Sequence, residues 1–393
     1  MRRITADYIY PVSSKPLPKG LLEVNDNGEI VSVIPFGQYL LSESIESFKG
    51  IIVPGFVNAH CHLELSHLHG KLPEKQGVMK FLSGVQSQRQ VSQGIIDAAM
   101  HAADSQMKSE GVAAVGDISN TDHSFAIKKQ SSIYYHTFIE VYGVNKFVAK
   151  DRYNYANELK TKAQSLGLPA SVTLHAPYSL SSGLKQIFID NLDKSGILSI
   201  HHQESKDEIE MIEQKTGDLL NLMISMGLDK TEWQTGNINL IDSLLMHAPS
   251  TISILLVHNT FTNTEDVKRV MSSQHNITWV LCPNSNMFIQ NTLPSVPMFI
   301  ENGCSLAIGT DSYASNTSLS VLDEMRTLHR HFPQIPLADL ISWATLNGAK
   351  ALNVDKTLGS FDIGKTPGIN LITNIDLGSL QIANDCKVEV IFP

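Results

Sequence analysis

Between residues 50 and 358, short apolar runs alternate with longer stretches in which apolar residues recur every three or four positions. The first texture suits strands buried on both faces and the second suits amphipathic helices, so their alternation predicts βα units around a parallel sheet. Eight runs qualify: IIVPGFVNAH (51–60), GVAAVGDIS (111–119), SIYYHTFIEV (132–141), SVTLHAP (171–177), ILSIHH (197–202), ISILLVHN (252–259), ITWVLCP (277–283) and SLAIGTD (305–311). Helical periodicity fills the gaps, as in GIIDAAMHAADSQMKSEG and DRYNYANELKTKAQSLG, each stopped by a glycine. Eight such units over roughly 310 residues predict an α/β fold, a TIM (β/α)8 barrel with insertions. A doubly wound sheet needs fewer strands and usually a Gly-rich phosphate turn, and neither a GxGxxG nor a P-loop occurs.

The ends of the chain have a different texture. GLLEVND and GEIVSVIP (28–35) near the start, and INLITN and CKVEVIF after GSFDIGKTPG (359–368), are short alternating runs separated by turn residues. They predict one small β-sandwich domain built from both termini, residues 1–50 and 359–393, with the barrel spanning 51–358. About fifty residues separate the fifth and sixth runs, long for one crossover. That stretch contains Trp233 and suits either a lid or an extra helix pair. In SVLDEMRTLHRHF (320–332), Met325, Leu328 and Phe332 fall at helical spacing and are read as core.

Composition removes several function classes. No run approaches the roughly 20 apolar residues of a membrane span, so no membrane role is expected. The start, MRRITADYIY, alternates polar and apolar residues where a signal peptide has an unbroken apolar stretch, which predicts a cytoplasmic protein. With a net charge of −9 and no dense Lys/Arg cluster, the chain lacks a phosphate-tracking stripe. Small molecules are therefore expected as partners, and nucleic acid is not. Cys61, Cys282, Cys304 and Cys386 show neither CxxC spacing nor disulfide-framework density, so they are read as plain buried thiols in a reducing compartment.

Chemistry concentrates at the ends of the runs. His60 and His62 are two residues apart, so on a strand both face one side while Cys61 faces the other. An isolated HxH is commonly a pair of hydrogen-bonded or exposed histidines; position decides. His175 ends the fourth run, His201, His202 and Glu204 end the fifth, His258 ends the sixth and Asp311 ends the eighth. Barrel enzymes keep their sites at these C-terminal strand ends. Histidine nitrogens plus a carboxylate, without paired thiolates, form the ligand set of a catalytic zinc site, although iron or manganese binds similarly. The fourth run carries no lysine at its end, so a single ion is the simpler expectation.

PGFVNAHCHLE, HAPYSLS (175–181), HHQE (201–204), VHN (257–259), CPNSN (282–286), GTDSYASN (309–316) and GSFDIGK together resemble the amidohydrolase superfamily. Within it the resemblance is to the chlorohydrolase/aminohydrolase branch, which includes guanine, cytosine and S-adenosylhomocysteine deaminases. It implies that His60, His62, His201 and Asp311 hold one divalent metal ion, zinc first and iron as the alternative. Such an ion lowers the pKa of bound water from about 15.7 toward about 7, giving hydroxide at neutral pH. By the same resemblance Asp311 takes the water's proton, His258 orients the nucleophile and stabilises the adduct, and Glu204 is the proton shuttle that protonates a ring nitrogen, the proton removed from water later going to the leaving ammonia. His202 then points out of the barrel.

His175 is implied to contact substrate, the alternative being a hydrogen bond behind the site. Glu64 is expected at the mouth as an acceptor for an amino group or ribose hydroxyls, the alternative being a solvated loop charge. Asp117 and Glu140 end the second and third runs, so either could reach the pocket, but both are read as packing or capping groups, and His67 and His69 as surface or lid groups. The implied reaction is hydrolytic deamination of an amino-substituted N-heterocycle. Cyclic amide hydrolysis or hydrolytic dechlorination on the same one-metal site is the alternative. A non-catalytic scaffold is disfavoured by the intact set of ligands, acid and base. Two departures bear on substrate and leave the metal chemistry alone: Asn284 stands where branch members often carry a basic residue, and HLELSHLHG has histidine where they often have arginine before glycine. HLELS and the compact length resemble aminodeoxyfutalosine deaminases, whose substrate is adenine-nucleoside-like. Barrels of this family frequently dimerise, so a homodimer is expected.

Overall fold

The computed structural model describes residues 1–40, 44–193, 196–231, 233 and 240–393. Eight strands occupy the predicted runs: β1 (Phe56–Cys61), β2 (Val112–Ser119), β3 (Tyr134–Val141), β4 (Ala170–Leu174), β5 (Gly196–His202), β6 (Ile252–His258), β7 (Asn276–Leu281) and β8 (Leu306–Ile308). They pair in parallel as two half-barrels, β1-β2-β3-β4 and β5-β6-β7-β8. Two seams close the cylinder. Between β4 and β5, Ser171 Oγ donates to the Ile197 carbonyl at 2.7 Å, and Thr173 Oγ1 donates to the Ser199 carbonyl at 2.7 Å while accepting from the Ser199 N–H at 3.0 Å. The His201 N–H donates to the His175 carbonyl at 2.9 Å at the same seam. Between β8 and β1, the amides of Thr310 and Asp311 both donate to the His60 carbonyl at 3.0 Å. The fold is the TIM (β/α)8 barrel with helices between strands.

Alternation sorts the strand side chains between two cores. Val57, Ala59, Ala114, Ile118, Phe138, Ile197, Leu255, Val257, Val280 and Ala307 pack together inside the barrel. Their neighbours Val115, Ile139, Leu198, Ile200, Ile254, Leu256, Trp279, Leu281, Leu306 and Ile308 pack outward against the helices. Gly309 lets β8 approach β1 closely, since a Cβ there would lie 2.9 Å from His60 Cβ.

The run read as one strand over 51–60 divides at Gly55. Ile51–Pro54 joins a five-stranded terminal sheet, pairing with Ile369–Thr373 and with Tyr8–Ile9. A second, four-stranded sheet holds Arg2–Thr5, Leu21–Val24, Ile30–Ile34 and Ile45–Ser47. Ile4, Ile9, Leu22, Val24, Ile30, Ile52, Phe361, Ile369 and Leu371 share one core between these two sheets, the small β-sandwich expected from both termini.

The stretch after β5 forms helices over Lys206–Ile209, Asp218–Ser225 and Leu240–His247. Trp233 is buried there against Val144, Ala176, Tyr178, Met211 and Leu219, and its Nε1 donates to the Met211 carbonyl at 3.3 Å. Residues 232 and 234–239 of this stretch lie outside the described residues. Met325 and Leu328 are core residues of the helix Val321–His331. Among the described residues no helix is long and apolar enough to cross a membrane.

Candidate active site

The C-terminal ends of β1, β5, β6 and β8 bring the expected residues together, and in β1, β6 and after β8 a local backbone device is needed. In β1, alternation from Val57 and Ala59 would turn His60 outward. A bulge between Asn58 and Cys61 adds one residue relative to β2 and resets the phase, so His60 and His62 face inward. In β5 plain alternation suffices: Ser199 and His201 face in, and His202 faces the helix layer. There its Nδ1 lies 3.1 Å from Asn259 Oδ1 and its ring meets Trp279 edge-on. In β6, Ile254 and Leu256 point outward and His258 would follow, but its φ of 73° swings it into the mouth. Asp311 and Gln203 also have left-handed backbones, φ 56° and 47°. Such non-glycine conformations cost about 1–2 kcal/mol each and cluster at functional sites.

The result is a tight group. His60 Nε2 lies 3.1 Å from His62 Nε2, which lies 3.3 Å from His201 Nε2. Asp311 Oδ1 is 3.3 Å from His62 Nε2 and 3.8 Å from His60 Nε2. The other oxygen, Oδ2, accepts from the hydroxyls of Ser285 and Ser315, both at 2.7 Å, which aims Oδ1 at the imidazoles. His60 Nδ1 faces Ser199 Oγ at 3.3 Å, and His201 Nδ1 faces the His175 carbonyl at 3.3 Å. The carbonyl can only accept, so the His201 proton sits on Nδ1 and its Nε2 lone pair points at the group.

These four groups fit a cation. Burial, reinforced by the neighbouring imidazoles, pushes His60, His62 and His201 well below the usual histidine range, so all three are neutral. With the ring protons on the outer Nδ1 atoms, the Nε2 lone pairs crowd at 3.1–3.3 Å and repel unless a positive ion lies among them. A tetrahedral ion with metal–nitrogen bonds of about 2.0–2.1 Å spaces its ligand atoms by roughly 3.3–3.4 Å, close to the separations found. His60, His62, His201 and Asp311 thus make a candidate metal centre.

Glu204 and His258 stand beside it. Glu204 is buried, with Oε1 3.8 Å from His258 Nε2, and burial raises its carboxyl above the usual range while His258 opposes the rise. Glu208 clamps the turn that carries it, accepting the amides of Gln203 at 3.2 Å and Glu204 at 2.9 Å. His258 Nδ1 is fixed 3.0 Å from Asn286 Oδ1. His175 lies on the same rim, its ring centroid 4.7 Å from that of His201, and burial pushes its pKa down to about 4.

Of the other expected residues, His67 departs from its expected place. Glu64 is buried in the wall of the mouth, where it accepts from Asn120 N, Thr121 N and Thr121 Oγ1 at 3.1, 3.2 and 2.8 Å. Its carboxyl is pushed up to about 7 by burial. His67, expected at the surface, is buried with Nε2 3.1 Å from the Arg89 carbonyl, because the 3-10 turn Leu63–Leu68 folds inward. His69 is exposed. Asp117 faces outward, ion-paired with buried Lys128 at 2.6 Å and accepting the Leu63 amide at 2.7 Å. Sequence reasoning passed over Ser199, Ser285, Asn286, Glu208 and Ser315, which hold the central residues. Ser285 and Asn286 lie inside CPNSN and Ser315 inside GTDSYASN, so the motifs carried the signal without the contacts.

Known proteins share this architecture. An adenosine deaminase of Helicobacter pylori is 29% identical over 340 residues, covering 84% of this chain and 80% of its own. The crystal structure of H. pylori aminofutalosine deaminase in complex with methylthio-coformycin superposes with a TM-score of 0.77 at 24% identity, covering 98% of this chain and 94% of that one. Atrazine chlorohydrolase from Arthrobacter aurescens, complexed with zinc, superposes at 0.73 and 15% identity, covering 97% and 90%. The profile of the Amidohydrolase family matches residues 51–390, nearly the whole chain, and the protein belongs to that family.

Proposed function

We propose that the protein is a metal-dependent hydrolytic deaminase that releases ammonia from an amino-substituted N-heterocycle of the adenine-nucleoside type. The observation that carries this is the convergence of three imidazole nitrogens and one carboxylate oxygen beside an independent acid, Glu204, and a further imidazole, His258. His60, His62, His201 and Asp311 would hold one divalent ion, and zinc is the ion this donor set favours. When bound, the ion supplies Lewis acidity that makes water nucleophilic at neutral pH.

The chain's own groups do the rest. Asp311, aimed by its two serines, accepts the proton of the attacking water. Glu204, whose carboxyl burial raises above the usual range, gives its proton to a ring nitrogen, which makes the adjacent carbon electrophilic; the proton that Asp311 took from water leaves with the departing ammonia, and the adduct's hydroxyl proton restores Glu204. His258, locked by Asn286, stabilises the negative charge that grows in the tetrahedral adduct. His175 faces the substrate, and Glu64 shapes the wall through the 120–121 loop. The named deaminase relative supports an adenine nucleoside, and aminodeoxyfutalosine is the specific member to test first. The four free cysteines support a cytoplasmic setting.

A screen for ammonia release across purines, pyrimidines and adenine nucleosides tests the proposal. Ammonia from an adenine nucleoside supports it; chloride or acid release without ammonia would move the same site to dechlorination or cyclic amide hydrolysis.

A further inference from the structure

Glu140 Oε1 is a buried carboxylate oxygen with no hydrogen-bond donor among the described residues. Strand β3 turns Glu140 into the barrel in phase with Phe138, above the apolar interior. Its other oxygen, Oε2, is tied down: Asn120 Nδ2 donates to it at 3.0 Å, and Asn120 Oδ1 in turn accepts from Arg89 Nη2 at 3.1 Å. That anchor leaves Oε1 3.5 Å from His201 Nδ1, on the side of the ring away from the metal centre. The nitrogen therefore lies between two acceptors, the His175 carbonyl and Glu140.

An acidic group in this position is costly in the protein without an ion, because its charge is buried and one oxygen goes unfilled. A cation on His201 Nε2 reverses the sign. It strengthens Nδ1–H as a donor and gives the carboxylate a positive partner across the ring. The charge count also closes, since one negative charge on Asp311 and one on Glu140 balance a divalent ion, leaving Glu204 free to carry the mobile proton.

We propose that Glu140 is a positioning residue of the metal centre, fixing the tautomer and ring orientation of His201 and supplying the second negative charge that a divalent ion requires. The inference rests on the reading that His60, His62, His201 and Asp311 hold one such ion. Glu140, His175 and His201 also lie within ligand reach of one another. A second ion there would require His201 to lose its Nδ1 proton and bridge two cations, and His175 Nδ1 is committed to Ser179 Oγ at 2.9 Å.

The test compares wild type, Glu140→Gln and Glu140→Asp by three readouts: zinc affinity in competition with a chelator, number of ions bound, and thermal midpoint of the metal-stripped protein. Glutamine keeps the shape and removes the charge, so zinc affinity is expected to fall roughly 10–100-fold. The stripped protein should melt at the same temperature or higher, one ion should bind in every case, and aspartate should recover part of the affinity. Unchanged affinity in Glu140→Gln overturns the proposal. So does a stripped protein whose midpoint falls in step with affinity, which marks a packing role, or a wild type that binds two ions while the variant binds one. Because the readout is ion binding, it succeeds or fails independently of whether ammonia is released.

Discussion

Glu204 is buried beside His258, and loss of water raises its carboxyl above the usual range. A carboxyl that holds its proton more tightly than usual can donate it and take it back, and an amide of the same size can do neither. Glu204→Gln should therefore lower turnover at least ~10²-fold while leaving bound metal unchanged, read by metal analysis alongside ammonia release. Equal loss of metal would place Glu204 among the ligands. At this scale His60, His62, His201 and Asp311 were legible because each ends an apolar run, where a barrel puts its chemistry. Glu140 was not, because its value depends on meeting His201 across the barrel from another strand. Ser285 and Ser315 were hidden for a related reason, since one reaches Asp311 from the helix Pro283–Gln290 and the other from the turn that follows Asp311.

The strands were legible as elements, but their phase was not. Counting outward from Val57 and Ala59 puts His60 on the wrong face, and only the bulge between Asn58 and Cys61 corrects the count. His258 is similar: the pattern of β6 points it into the helix layer, and a left-handed residue redirects it. Neither device has a glycine to announce it. The split of 51–60 at Gly55 was unreadable because Ile51–Pro54 and Phe56–Cys61 are both apolar, and pairing partners far along the chain assign one to the terminal sheet. The β4–β5 seam makes its own prediction. Thr173 Oγ1 both donates to and accepts from the Ser199 backbone, so Thr173→Val should leave that buried amide unpaired and cost about 1–3 kcal/mol in denaturant unfolding. Unchanged stability would mean that the half-barrels close without these hydroxyls.

For the whole molecule, a barrel interior lined with neutral histidines makes stability depend on pH. His136 faces inward against Ser171 Oγ at 3.0 Å, and burial, with Lys128 adding, pushes it down to about 4. The unfolded chain protonates this residue near pH 6.5, so between about 6.5 and 4 the unfolded state binds more protons and stability falls as pH falls. The loss is roughly 3 kcal/mol for this residue, complete near pH 4 and absent above about 7. Denaturant unfolding across this pH range makes this measurable: His136→Gln should flatten that limb, so the gap between variant and wild type narrows or reverses on acidification. A gap that stays constant with pH would show that His136 is not held neutral.

All three scales meet in one claim, that four side chains from β1, β5 and the turn after β8 hold a single catalytic ion. Titrating zinc into metal-stripped protein while following ammonia release from an adenine nucleoside tests it most directly. The predicted result is activity that is lost on stripping and rises to a plateau at one equivalent of zinc. Full activity in the stripped protein, or no ammonia at any zinc level, would contradict it.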